Sequence, residues 1–170
     1  YAKLLLLLDD PAAALQAATT LQTLQPKSAM GFHLAGVAQQ TLKRTDDARK
    51  SFEAGLAADP TALDPLIALS QLDVAAGDTT AALARIDARI AAQPKDARLH
   101  NLRGELLMAM RRFDDALASY AAASKEQPGW PQPYRGQATA LIAAGQTDRA
   151  IEVLKAALGP TGNSADIAID

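Results

Sequence analysis

The strongest constraint on this chain is a period. Pro26, Pro60, Pro94 and Pro128 stand 34 residues apart at every step. Ala48, Ala82, Ala116 and Ala150 keep the same interval of 34, and so do Gly36, Ser70, Gly104 and Ala138. Four places after each alanine comes a larger side chain: Phe52, Ile86, Tyr120 and Leu154. Columns that share one register point to a repeat architecture, in which each unit buries its apolar face against its neighbours.

Composition decides what the unit is made of. Of the 170 residues 49% are hydrophobic but only 4% aromatic, and the apolar content is mostly alanine and leucine. These are the strongest helix formers, while valine and isoleucine are too few for a sheet-rich protein, so the fold class is all-α. Each unit reads as two helices. The predicted pairs are 29–42 with 46–58, 62–76 with 79–92, 97–110 with 113–126, and 131–144 with 147–158. Gly77 and Gly145 fall just past first helices, where a left-handed residue is favoured. Asp78, Asp96 and Thr147 are candidate caps for the helices that follow, and each X-Pro step discourages a helix from continuing through the residue before it.

The columns have physical reasons. Two helices approach closely only where side chains are small, which explains Gly36, Ser70, Gly104 and Ala138 on the first helix and the alanine column on the second. The large residues then fill the space between successive pairs. Arranged as Phe32–Gly36–Ala48–Phe52–Pro60 and Tyr134–Ala138–Leu141–Gly145–Ala150, these residues resemble the tetratricopeptide repeat (TPR) family over nearly the whole chain. The departures are His100 and Leu66, in place of an early aromatic, and Arg89 at a usually small position. The resemblance implies a right-handed α-solenoid of antiparallel helix pairs, with the first helices lining a concave groove. The chain is then one array: a partial repeat at 1–26, repeats at 29–60, 63–94, 97–128 and 131–160, and the start of another at 165–170. Neither end carries the polar cap that closes a solenoid, so the array is expected to be part of a longer one.

Catalytic and metal chemistry find little support. The stretch Gly159-Pro160-Thr161-Gly162-Asn163-Ser164 lacks the lysine and the preceding strand of a phosphate loop and reads as a linker. His33 and His100 lie in different repeats without an i, i+4 partner, too few ligands for zinc. Asp46-Asp47 and Asp114-Asp115 begin helices, where carboxylates suit the helix dipole. Arg111-Arg112 reads as a solvated turn. Trp130 is read as packing between the third and fourth repeats, with Pro131 opening a helix. No enzyme activity, cofactor or metal is expected. The net charge of −2 argues against nucleic acid as the partner. The leucine run 4–8 is too short to span a membrane. The absence of cysteine excludes disulfides without deciding the compartment, with the periplasm slightly favoured over the cytoplasm.

What remains is a binding surface. The resemblance places Met30, His33, Leu34, Val37 and Gln40 of the first full unit in the groove, and Asp64, Ile67, Gln71 and Val74 of the second. The third supplies Arg98, Asn101, Leu102, Glu105 and Met108, and the fourth Gln132, Arg135, Thr139 and Ile142. About half of these are expected to be exposed. One end is mainly apolar and the other carries Arg98, Asn101 and Arg135, which suits a peptide or helix with an apolar part and an acidic part. The Lys and Asn of the family's carboxylate clamps are replaced by His33 and Val37, so a clamp of that kind is not expected. The leading expectation is a protein-binding scaffold in a bacterial multiprotein assembly, in style similar to TPR proteins of exopolysaccharide synthesis and export. The alternatives are the targeting arm of a larger enzyme such as a glycosyltransferase, and self-association through the repeat ends.

Overall fold

The computed structural model describes Ala2 and residues 10–159. Among these residues there are nine helices and no strand: α1 (Pro11–Leu24), α2 (Ala29–Thr41), α3 (Thr45–Ala58), α4 (Leu63–Ala75), α5 (Thr79–Ala92), α6 (Ala97–Ala109), α7 (Phe113–Glu126), α8 (Pro131–Ala143) and α9 (Thr147–Ala157). The eight helices expected from the repeat are all present with ends within a residue, and the fold is all-α. The readings of 1–8 as the end of a first helix, of 160–164 as a linker and of 165–170 as a new repeat fall outside the described residues, apart from Ala2. The chain divides into two compact units, 1–78 and 79–170.

In the first unit α1 packs on α2, α2 on α3 and α3 on α4, and the first helices α2 and α4 also touch. In the second unit consecutive helices pack from α5 to α9, and the first helices α6 and α8 touch. The alanine column makes the contact proposed for it: Ala48, Ala82, Ala116 and Ala150 are all buried. The large-on-small contact is closer still. A Cβ added to Gly36 would lie 2.3 Å from Cε1 of Phe52. Tyr120 is flanked by two glycines, and a Cβ on Gly104 or on Gly136 would lie 2.6 Å from its ring. Gly104 is on its own repeat's first helix and Gly136 on the next, so one ring spans the joint. Around these rings lie Ala48, Ala68, Leu69 and Leu72 in the first unit, and Leu107, Ala116 and Ala140 in the second. Leu154, expected to be buried like the others in its column, is only half-buried, so truncating it costs less than truncating Tyr120.

Polar side chains join the same helices. Arg49 on α3 donates to the buried carboxylate of Asp73 on α4 at 2.7 Å. Arg103 on α6 donates to Asp87 on α5 at 2.7 Å and to Ser119 on α7 at 2.8 Å. Gln137 on α8 donates to Ser124 on α7 at 2.9 Å. Removing Arg49 deprives the buried Asp73 carboxylate of that guanidinium, which is costly.

The four first helices end alike. Lys43, Gly77, Arg111 and Gly145 occupy one repeat position and all have positive φ, at 59°, 82°, 58° and 76°. After each, the next backbone N–H reaches back to the helix: Arg44 to Gln39 O, Asp78 to Asp73 O, Arg112 to Leu107 O and Gln146 to Leu141 O, all at 2.8–2.9 Å. This pattern closes a helix through a left-handed residue. Sequence marked only the two glycines. The caps also need adjustment. Asp96 does accept from the backbone N–H of Arg98 at 3.0 Å, and Asp10 and Ser28 cap α1 and α2. Thr147, however, is the first residue of α9 and Gln146 holds the cap position without a side-chain cap bond. A glutamine side chain is too long for the short hydrogen bond that Ser, Thr, Asp and Asn make there.

Two outcomes are expected in chemical denaturation. Gly104→Leu drives a side chain into the Tyr120 ring and lowers stability by about 1–3 kcal/mol. Arg111→Gly removes the penalty of a left-handed non-glycine residue and raises stability by about 1 kcal/mol.

Candidate functional site

The candidate groove residues lie on the first helices. On α2 and α4, Met30 is 61% exposed, Gln71 and Val74 are also exposed, and His33, Val37 and Ile67 are half-buried. On α6 and α8, Arg98, Glu105, Arg135 and Thr139 are exposed, Met108 is half-buried, and Asn101 is buried. The face of each unit is thus assembled from two adjoining first helices. Met108 doubles as a core residue, packed against the cluster around Tyr120.

Two of these residues have unsatisfied polar atoms. His33 lies against Phe52, with ring centroids 5.6 Å apart and planes tilted by 38°, and its Nδ1 is buried without a hydrogen-bond partner among the described residues. Burial lowers the pKa of this imidazole below its ordinary 6.5, opposed in part by the Asp64 carboxylate on α4. Asn101 donates from Nδ2 to Glu105 at 2.8 Å, and its Oδ1 is buried without a donor. His33 and Asn101 occupy the same place in their repeats, 68 residues apart. A buried polar atom without a partner is unfavourable, and here the cost recurs at one repeat position. A third such atom, NH1 of Arg89, is on α5.

The cations differ in availability. Arg98 is held by Asp96 through two hydrogen bonds, at 2.9 and 2.7 Å, and the same contact lowers the Asp96 pKa and raises that of Arg98. Arg135 makes no ion pair among the described residues.

Two features went unseen in the sequence. Tyr120 stands in the large-residue column, which marks it as a wedge, yet its phenol lies close enough to Glu105 for that carboxylate to join burial in raising its pKa. Its place between α6 and α8 also depends on a second glycine, Gly136 on α8, which is outside the small-residue column. The other feature is an apolar pocket of about 440 Å³ between α1 and α2, bordered by Leu21, Leu24, Met30 and Leu34. Leu24 is 73% exposed and has no repeat signature to announce it. The described residues contain no cluster of three His, Cys, Asp or Glu side chains fit to hold a metal, and no helix among them is long and apolar enough to cross a membrane.

The lowered His33 pKa has a definite sign. The unfolded chain takes up a proton near pH 6.5 that the folded chain resists, so stability is full above that pH and falls as pH drops below it. Thermal unfolding between pH 7 and 5 is expected to show this loss, and His33→Leu to flatten it. An unchanged slope in the variant places the loss elsewhere.

The family model of the tetratricopeptide repeat matches residues 41–106 and 107–168. No curated protein matches the sequence significantly. Among solved structures the chain is similar to MamA from Desulfovibrio magneticus RS-1, with 16% identity over 96% of this chain and 93% of that one and a TM-score of 0.67. It is similar to a thermophilic TPR protein of Thermus thermophilus, with 21% identity, coverage of 98% and 91%, and a TM-score of 0.68. It also resembles YrrB, described as a TPR protein with an unusual peptide-binding site, with 20% identity, coverage of 98% and 86%, and a TM-score of 0.61. At these identities the structures testify to the fold alone, and it is the family match, over more than half the residues, that makes this chain a member of the tetratricopeptide repeat family.

Proposed function

We propose that the chain is a protein-interaction scaffold whose first-helix faces hold a segment of a partner protein, extended or helical. One observation carries this reading. The repeat position occupied by His33 and Asn101 holds buried polar atoms that the fold itself leaves unpaired, next to exposed apolar and charged side chains on the same helices. A bound segment supplies the missing partners and covers Met30 and Val74. YrrB, of similar fold, is described by a peptide-binding site, which supports a peptide as the class of ligand. The unpaired Arg135 suits an acidic residue on that segment. The setting we favour is a bacterial multiprotein assembly of the kind that secretes polysaccharide, for which the alanine- and glutamine-rich style of the repeats is the support.

A photo-crosslinking amino acid placed at Gln71 or Thr139 in cells is expected to trap a protein, whereas the same group at Lys50 or Glu126, on second helices, is not. Equal trapping from both sets removes the first-helix faces as the binding surface. Asn101→Leu provides a separate check. It removes an unpaired buried oxygen and is expected to raise stability by about 0.5–1 kcal/mol while reducing crosslinking from Thr139. A loss of stability shows that Asn101 serves the fold.

A further inference from the structure

Where the Tyr120 ring of α7 lies on Gly104 of α6, three polar groups have hydrogen-bonding capacity unfilled. Asn101 is 7% exposed, spends one N–H on Glu105 Oε1 at 2.8 Å and leaves Oδ1 without a donor. Glu105 is exposed and makes no ion pair among the described residues. Tyr120 is 5% exposed, and its hydroxyl makes no hydrogen bond to a described residue. Its phenol is kept neutral by burial and by the nearby Glu105 carboxylate. Acceptors outnumber donors in the cluster: an amide oxygen, a carboxylate with lone pairs to spare and a phenolic oxygen, against the one O–H of the neutral phenol. An anionic ligand would face the carboxylate at close range. A neutral apolar group would leave all three unsatisfied. An ammonium brings three donors and no acceptor, and a guanidinium five.

We infer that Asn101, Glu105 and Tyr120 form a receptor for one lysine or arginine side chain of the partner segment, an inference that rests on the first-helix faces being the binding surface. The ligand's charge is set against Glu105, the Tyr120 hydroxyl takes a second N–H, and Asn101 turns its enclosed Oδ1 outward to take a third. The neighbourhood agrees. Arg98, on the same helix, is already engaged by Asp96 and does not fill the cluster. Arg135, on the adjoining α8, makes no ion pair with Glu105. The partner segment is then one of mixed charge, basic where it meets α6.

The probe is a random dodecamer peptide library displayed on phage, selected in parallel against the intact chain and against its Glu105→Gln variant. The substitution keeps an acceptor for Asn101 and removes only the charge. Peptides won on the intact chain are expected to share a lysine or arginine at one place, and those won on the variant are not. By calorimetry, replacing that residue with norleucine should weaken binding to the intact chain about tenfold or more and binding to the variant less than about twofold. Shared acidic residues, or equal losses on both chains, overturn the receptor. Peptides that carry no basic consensus but are displaced by Asn101→Leu also overturn it and leave the scaffold reading standing. A selection that yields no peptide sensitive to any first-helix substitution defeats both.

Discussion

An aromatic ring laid directly on glycine backbone is the contact from which the rest of this architecture follows. Phe52 lies on Gly36, and Tyr120 lies between Gly104 and Gly136. Each ring comes from a second helix and projects towards the first helices. It fills the space that a pair of larger side chains would otherwise share. The first helix therefore satisfies its packing with one glycine and a few neighbours such as Leu69 or Leu107. Its opposite side then carries less of the packing, although Met108 still serves the core. That is why polar and charged residues such as Gln71, Glu105 and Arg135 can stand there without loss to the fold. The same rings also reach the face they free: Phe52 supports the imidazole of His33, and the phenol of Tyr120 comes near Glu105.

A repeat sequence has a problem that an ordinary domain lacks, since similar hairpins can pack on one another in the wrong order. The small and large columns do not prevent this, because they are nearly the same in every unit. The polar joints are not. Asp73, at 4% exposure, meets Arg49; Arg103 meets Asp87 and Ser119; Gln137 meets Ser124. The same repeat places elsewhere carry residues without that chemistry: Leu107 and Leu141 align with Asp73, and Leu69 aligns with Arg103 and Gln137. A mispaired joint would bury a carboxylate or guanidinium against leucine, a large penalty. The correct joint gains little from its ion pair, but it is the only one that escapes that cost.

Sequence revealed what the period enforces and missed what it does not. Helix bounds, the buried alanines and the glycine turns recur in several copies, and recurrence made them readable. Lys43 and Arg111 adopt the same left-handed turn as Gly77 and Gly145 but carry no glycine to betray it; their conformation is imposed by the helix on either side. Gly136 was invisible as a packing residue because its column holds Leu34, Ala68 and Leu102 elsewhere. Leu154 shares the column of Phe52, yet burial depends on neighbours as well as on register, and it is only half-covered. On the face, the identity of the helices was readable, but the burial of Asn101 and the engagement of Arg98 by Asp96 depend on side-chain direction, which spacing does not specify.

The residues aligned with His33 show what a repeat scaffold gains from this division of labour. His33, Ile67, Asn101 and Arg135 stand at one geometric position in four successive repeats, and they comprise an imidazole, an aliphatic chain, an amide and a cation. Such variety is not what close packing enforces in the alanine column, where all four residues are the same. A position that carries unpaired buried atoms in two of its four instances is not tuned for stability either, since a leucine would serve the fold better. On the scaffold reading proposed above, selectivity for a partner explains both facts together. A polar group that only the right ligand can satisfy rejects other ligands by the full cost of leaving it unpaired. The repeat geometry supplies such groups at one place per repeat without altering the wedge that holds the helices together.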